Sequence, residues 1–167
     1  MQVEIYTDGA AKGNPGPGGY GVILVHGEQR REFQGGFVRT TNNRMELLAA
    51  ITGLESLTET SAVTLYSDSR YLVDAMTKGW LESWRSRGWK RPQNQPLKNP
   101  DLWQRLDRAC NGRQVDWRWV KGHAGHAENE RCDELATLAA TGDDREVDAG
   151  FEAAEAASAA QLDLFPQ

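Results

Sequence analysis

Hydrophobic and polar positions alternate from the start of the chain. Val3, Ile5 and Thr7 fall on one side, with Glu4, Tyr6 and Asp8 on the other, which is the period of two expected of a half-buried strand. A glycine- and proline-rich stretch over residues 9–19 is followed by an apolar run over 20–25. Gly27-Glu28 can then turn the chain into a third strand near residues 31–38. From Asn43 the period lengthens: Leu47, Leu48, Ile51, Leu54 and Leu57 recur at helical spacing, and Asn43 with Glu46 reads as a capping pair at the helix start. Residues 63–66 read as a short strand, 69–76 as a helix and 101–110 as another helix with Leu102, Leu106 and Ala109 on one side. Val115, Trp117 and Trp119 alternate as a strand, and Cys132, Leu135, Ala136 and Ala139 mark one face of a last helix.

Three meander strands followed by helix–strand–helix–strand–helix predict an α/β fold, one mixed sheet with helices packed on it. The later strands are reached through helical crossovers, so they are expected to run parallel to each other and to the first. The 167 residues, 39% hydrophobic and 26% charged, fit one soluble globular domain over 1–141 with a tail over 142–167. That tail, rich in Ala, Asp and Glu, reads as flexible or partly helical. The first ten residues lack the pattern of a secretory signal, and no apolar run is long enough to span a membrane. Cys110 and Cys132 have neither metal-finger spacing nor a disulfide framework, which suits a reducing cytoplasm and a cytoplasmic location.

Charge changes the picture once it is divided along the chain. The net charge of −5 conceals a block, residues 78–113, with 9 basic and 3 acidic side chains. The flanking regions are all acidic, down to 1 basic and 7 acidic side chains over 142–167. One basic block in an acidic molecule fits either a phosphate-binding surface or a solvated charged face.

Ligands of open α/β sheets tend to bind beyond the carboxyl ends of parallel strands. Asp8 lies near the end of the first strand and Asp68 follows the fourth, so neighbouring strands would bring both to one crevice. Each candidate acid also has a structural reading. Asp8-Gly9 is a turn dipeptide, Asp68 can cap the helix starting at Ser69, Glu46 can reciprocate Asn43, and Asp133 can be an exposed helical charge. Their spacing forms no local motif.

The words around these residues closely resemble the type 1 ribonuclease H family, in particular its bacterial members. The matching segments are IYTDGA (5–10), GNPGPGGYG (13–21), TTNNRMELLAAI (40–51), YSDSRYL (66–72), KNPDLWQRL (98–106) and WVKGHAGHAENERCDELA (119–136). They span about residues 2–140 in the family's order, with Ser67 standing where a threonine commonly precedes the aspartate. The resemblance implies a ribonuclease H-like fold with a five-stranded mixed sheet in the order 3-2-1-4-5. It implies that Asp8, Glu46, Asp68 and Asp133 bind two Mg²⁺ ions, which Mn²⁺ can replace, with Asp8 bridging the pair and Asp133 on the nucleophile side. It also implies hydrolysis of the RNA strand of RNA–DNA hybrids to 3′-hydroxyl and 5′-phosphate ends, by a monomer. His123, between Gly122 and Ala124-Gly125, becomes the proton-exchanging residue in place of an ordinary loop histidine, whereas His126 is assigned no such role.

Hybrid recognition has the 2′-hydroxyl as its handle on the sugar. Asn14, Asn42 and Asn43 offer amides, and Thr41 at a helix start suits a DNA phosphate. The basic block resembles the protrusion with which bacterial members grip the DNA strand. Its aromatic-cation rhythm runs through Trp80, Trp84 and Trp89, and Arg85, Arg87, Lys90 and Arg91 are the expected phosphate ligands. Part of this rhythm is expected in the core, since Trp80 and Trp84 lie four apart on one helix face, and Trp103, Trp117 and Trp119 are expected to be buried. At the far end, Gln161, Leu162, Asp163, Leu164 and Phe165 resemble the short peptide with which bacterial replication proteins dock on the DNA sliding clamp. Two rivals remain at this stage. A catalytically silent hybrid-binding module is disfavoured by the complete acidic set, and a DNA-cutting nuclease of the same fold is disfavoured by the asparagine set and the protrusion.

Overall fold

A computed structural model of the chain describes residues 2–59, 62–122 and 124–163. The opening alternation becomes β1 (Gln2–Ala11), whose buried positions are Val3, Ile5, Thr7 and Gly9. It pairs antiparallel with β2 (Gly16–His26), which pairs antiparallel with β3 (Gln29–Thr40). The helical periodicity after the meander gives α1 (Asn42–Glu55), capped by Thr41, whose side chain accepts from the Arg44 amide at 3.3 Å. The expected Asn43–Glu46 capping pair does not form; Asn43 already lies in the first turn and Glu46 is buried.

Next come β4 (Ala62–Ser67), α2 (Arg70–Thr77), α3 (Trp80–Ser86), a short 3-10 turn over Pro92–Asn94, α4 (Pro100–Cys110) and β5 (Gln114–Trp119). Helix α5 (Ala127–Thr141) follows. Strand β4 runs parallel to both β1 and β5, as helical crossovers require. The sheet order is β5-β4-β1-β2-β3, the expected 3-2-1-4-5 core, with one further short strand, β6 (Arg145–Glu146), beyond β3. Helix α1 packs on β1 and β2 and against α4, while α5 lies across β1, β2 and β3. Ile5, Val22, Leu47, Ile51, Leu54, Leu65, Leu72, Trp103 and Leu106 form one core, and Ile23, Cys132 and Leu135 form a smaller one under α5.

The end of the chain is more structured than its composition indicates. Strand β6 (Arg145–Glu146) joins the free edge of β3, and α6 (Ala149–Asp163) follows. Between them Asp148, 7% exposed, accepts from Thr40 Oγ1 at 2.6 Å and from the buried Arg44 at 2.8 and 2.9 Å. Arg44 also forks onto Asp101 at 2.9 and 2.7 Å, so three distant parts of the chain meet at one guanidinium. Arg39 binds Glu155 and lies over the Phe151 ring, which ties the first turns of α6 to β3.

Candidate active site

The site begins with register. Tyr6 on β1 lies opposite Tyr66 on β4, and their rings stack at 4.8 Å. Side chains alternate along a strand, so Asp8 and Asp68, each two residues further, emerge side by side at the carboxyl ends of adjacent parallel strands. Neither takes its local structural role. Asp8 is inside β1, and α2 is capped by Ser69, which accepts from Leu72 N at 3.2 Å.

Glu46 comes to the same place from α1. Gly9 lets the helix lie almost on the strand, since a Cβ there would be 2.4 Å from the Met45 carbonyl carbon. At 3% exposure, the Glu46 carboxylate accepts the Gly9 amide at 2.7 Å and the Ser67 hydroxyl at 3.3 Å. The serine that departs from the family's usual threonine thus keeps a hydroxyl on this carboxylate. Oxygens of Asp8, Glu46 and Asp68 lie within 4.8 Å of one another. Asp133, from the first half of α5, lines the same crevice of about 390 Å³, together with Asn42, Asn43, Ser69, Arg70 and Tyr71.

Crowding of like charge has the expected consequence. Burial, reinforced by Asp68, pushes the Asp8 carboxyl up to about 7. Burial and the charges of Asp8 and Asp68 drive Glu46 well above the usual carboxylate range. Clustered carboxylates whose ionisation is resisted by burial and by one another, offering hard oxygen donors, fit a hard divalent cation.

The other expected residues are distributed around this centre. Asn14 Oδ1 accepts the Asn42 amide at 3.0 Å, and Asn42 Oδ1 accepts the Ala11 amide at 3.3 Å. The β1–β2 turn is thereby laced to the start of α1. Thr41 caps that helix and lies beside these asparagines. Trp80 is 42% exposed and within cation–π reach of Lys78, whereas Trp84 packs on the buried Trp103 at 5.0 Å. Arg85, Arg87, Lys90 and Arg91 are all exposed on α3 and the loop after it. Arg85 is shared with Asp107 at 3.0 Å, and Arg87 donates to Ser83 Oγ at 2.7 Å.

Two core expectations are overturned, at Trp80, whose ring is exposed beside Lys78, and at Trp119. Trp119 is 38% exposed. Its indole N–H donates to the Asp68 carbonyl at 3.0 Å, and the Arg70 guanidinium lies 3.8 Å from its ring centroid. Sequence reasoning missed this Arg70–Trp119 stack at the crevice. The available signal was an arginine directly after a capping serine in YSDSRYL. His123, Leu164 and Phe165 lie outside the described residues. Gln161 is exposed in the last turn of α6, which also holds the backbone of Leu162 and Asp163.

The fold and the crevice define an α/β protein with an acidic site at the carboxyl ends of parallel strands, where Asp8, Glu46 and Asp68 could hold a metal ion. The family model for RNase H matches residues 1–141. The chain is 61% identical over 138 residues to the ribonuclease H of Rippkaea orientalis, covering 83% of this chain and 85% of that protein. The solved structure of LC9-RNase H1, a type 1 RNase H with the type 2 active-site motif, superposes with a TM-score of 0.75 at 39% identity, covering 90% of this chain and 79% of that one. LC11-RNase H1, solved in complex with an RNA/DNA hybrid, superposes with a TM-score of 0.61 at 25% identity, covering 82% of this chain and 95% of that one. The chain belongs to the ribonuclease H family and is an enzyme of that family.

Proposed function

We propose that the protein is an endoribonuclease that hydrolyses the RNA strand of RNA–DNA hybrids. The observation that carries this reading is the convergence of Asp8, Glu46, Asp68 and Asp133 on one crevice in a chain of this family. Those four carboxylates would hold two Mg²⁺ ions, which Mn²⁺ could replace. When bound, the pair supplies Lewis-acid charge to the attacking and leaving oxygens of an in-line displacement. Asp8, pressed between Glu46 and Asp68, gives up its proton to make the site. Glu46 is held in place by the Gly9 amide and Ser67. Water adds to phosphorus as the P–O3′ bond breaks, leaving a 3′-hydroxyl and a 5′-phosphate. His123 takes a proton from the water or returns one to O3′.

Asn14, Asn42 and Asn43 read the ribose 2′-hydroxyls at the crevice, and Thr41 holds a DNA phosphate. Trp80, Arg85, Arg87, Lys90 and Arg91 grip the DNA strand further out. The protein acts as a monomer in the cytoplasm. The assay uses matched RNA–DNA, RNA–RNA and DNA–DNA duplexes with Mg²⁺ or chelator. Cleavage confined to the RNA of the hybrid, abolished by chelator and by Asp8→Asn, is expected. Hybrid binding without cleavage would favour a silent binding module, and cleavage of DNA–DNA would favour a DNA nuclease of the same fold.

The peptide 161–165 docks on the DNA sliding clamp, with α6 as its spacer. Leu164→Ala with Phe165→Ala abolishes that binding and leaves hybrid cleavage intact. A parent peptide that does not bind the clamp would refute it.

A further inference from the structure

Gly21 sits where two of the four carboxylates are set. In the β1–β2 register it is the cross-strand partner of Asp8. Across the sheet face, α5 rests on it through the peptide that joins Cys132 to Asp133. A Cβ added at Gly21 would lie 2.3 Å from the Cys132 carbonyl oxygen and 3.1 Å from its carbonyl carbon. Ordinary contact begins near 3.4 Å, so any side chain here lifts this turn of the helix by about 1 Å. The same turn is pinned from the other direction. Cys132 is fully buried against Ile23 and Leu135, and its thiol donates to the Tyr6 carbonyl at 3.3 Å. Tyr6 is two residues before Asp8 on the same strand.

We propose that Gly21 is a positioning residue that fixes the separation of Asp8 from Asp133, and through it cation affinity and turnover. The inference rests on the reading of the crevice as a cation-dependent hydrolytic site. The substrate-facing asparagines and Thr41 belong to the β1–β2 turn and the start of α1. Substrate affinity therefore does not follow this contact.

Gly36 supplies the control. A Cβ there would lie 2.0 Å from the Ala139 carbonyl oxygen, an equally severe clash with the same helix. That contact is about 9 Å further along α5 than Asp133. The experiment measures Mn²⁺ affinity by electron paramagnetic resonance without substrate, together with kcat and KM on an RNA–DNA hybrid. Gly21→Ala is expected to weaken Mn²⁺ binding about tenfold. It lowers kcat on the order of tenfold to a hundredfold, with KM unchanged. Gly36→Ala, with a similar fall in Tm, keeps both near wild type. Asp133→Glu, one methylene longer, lowers turnover alone but restores it in the Gly21→Ala background.

Equal losses in Gly21→Ala and Gly36→Ala, or no restoration by Asp133→Glu, would overturn the proposal. Should Gly21→Ala fail to fold, Cys132→Val presses on the same turn from the helix side. Unchanged Mn²⁺ affinity in that variant would be equally fatal. A wild-type chain inert on hybrids would defeat the functional reading alone, and the Mn²⁺ arm would still decide the positioning role.

Discussion

At the scale of single residues, Asp8 concentrates the electrostatics of the site. Its carboxyl is held up to about 7 by burial and by Asp68, against an ordinary value of 3.8. A carboxyl whose pKa is raised by folding favours the folded state below about pH 4, and that contribution is lost as pH rises through about 7. In cation-free protein the unfolding temperature should therefore fall between about pH 4 and pH 8. Asp8→Asn should flatten this decline and stabilise the protein at pH 8 by about 2 kcal/mol. Added Mg²⁺ should raise Tm more at pH 8 than at pH 5, because at low pH it competes with protons. Thermal scans in which wild type and Asp8→Asn decline in parallel would contradict this electrostatic account. In turnover, Asp8→Asn should abolish hybrid cleavage while His123→Ala only slows it, and steady-state rates separate the two. No local pattern around positions 8, 46, 68 and 133 distinguished a ligand from a turn, a cap or a surface charge. The family's segments single them out as candidates; strand order and register, which local spacing does not encode, bring them to one crevice.

At the scale of elements, the sequence was most legible where periodicity was strong. The meander, α1, α4 and α5 follow from their apolar spacing, and helical crossovers made β4 parallel to β1. Capping was less legible, because Thr41, Asn42 and Asn43 are all good caps and only backbone geometry selects Thr41. Trp119 was misread for a related reason. Alternation with Val115 and Trp117 marks a strand face, but β5 is an edge strand and its last residue, Trp119, stays exposed. Charge patterning points to α3 and the loop after it as a phosphate-binding surface, and its arginines and Lys90 are exposed there. Neutralising Arg87, Lys90 and Arg91 together should weaken hybrid binding and reduce the slope of log affinity against log salt by about 2 to 3. Arg85, already paired with Asp107, should contribute less than its neighbours. Fluorescence anisotropy at several salt concentrations tests both statements, and an unchanged slope would remove this segment from the interface.

At the scale of the molecule, residues 145–155 are joined to the body of the domain. Asp148 was hidden in a segment whose composition resembles a solvated tail. Its partner Arg44 is more than a hundred residues away, so no local signal announced the contact. Burial of Arg44 between Asp148 and Asp101 joins β6 and α6 to α1 and α4. Asp148→Ala should destabilise the protein by about 3 kcal/mol, since it leaves a buried guanidinium half-paired. Urea unfolding measures this, and a loss below about 1 kcal/mol would mean that water or Asp101 alone satisfies Arg44. The fold brings carboxylates from β1, α1 and the end of β4 within 4.8 Å of one another, with Asp133 of α5 lining the same crevice, and the proposed function makes these four a common cation site. Anomalous diffraction from crystals soaked in Mn²⁺ with a bound hybrid tests it most directly. The account predicts anomalous peaks within coordination distance of Asp8, Glu46, Asp68 and Asp133, beside a phosphate of the RNA strand. Peaks elsewhere, or none in that crevice, would contradict it.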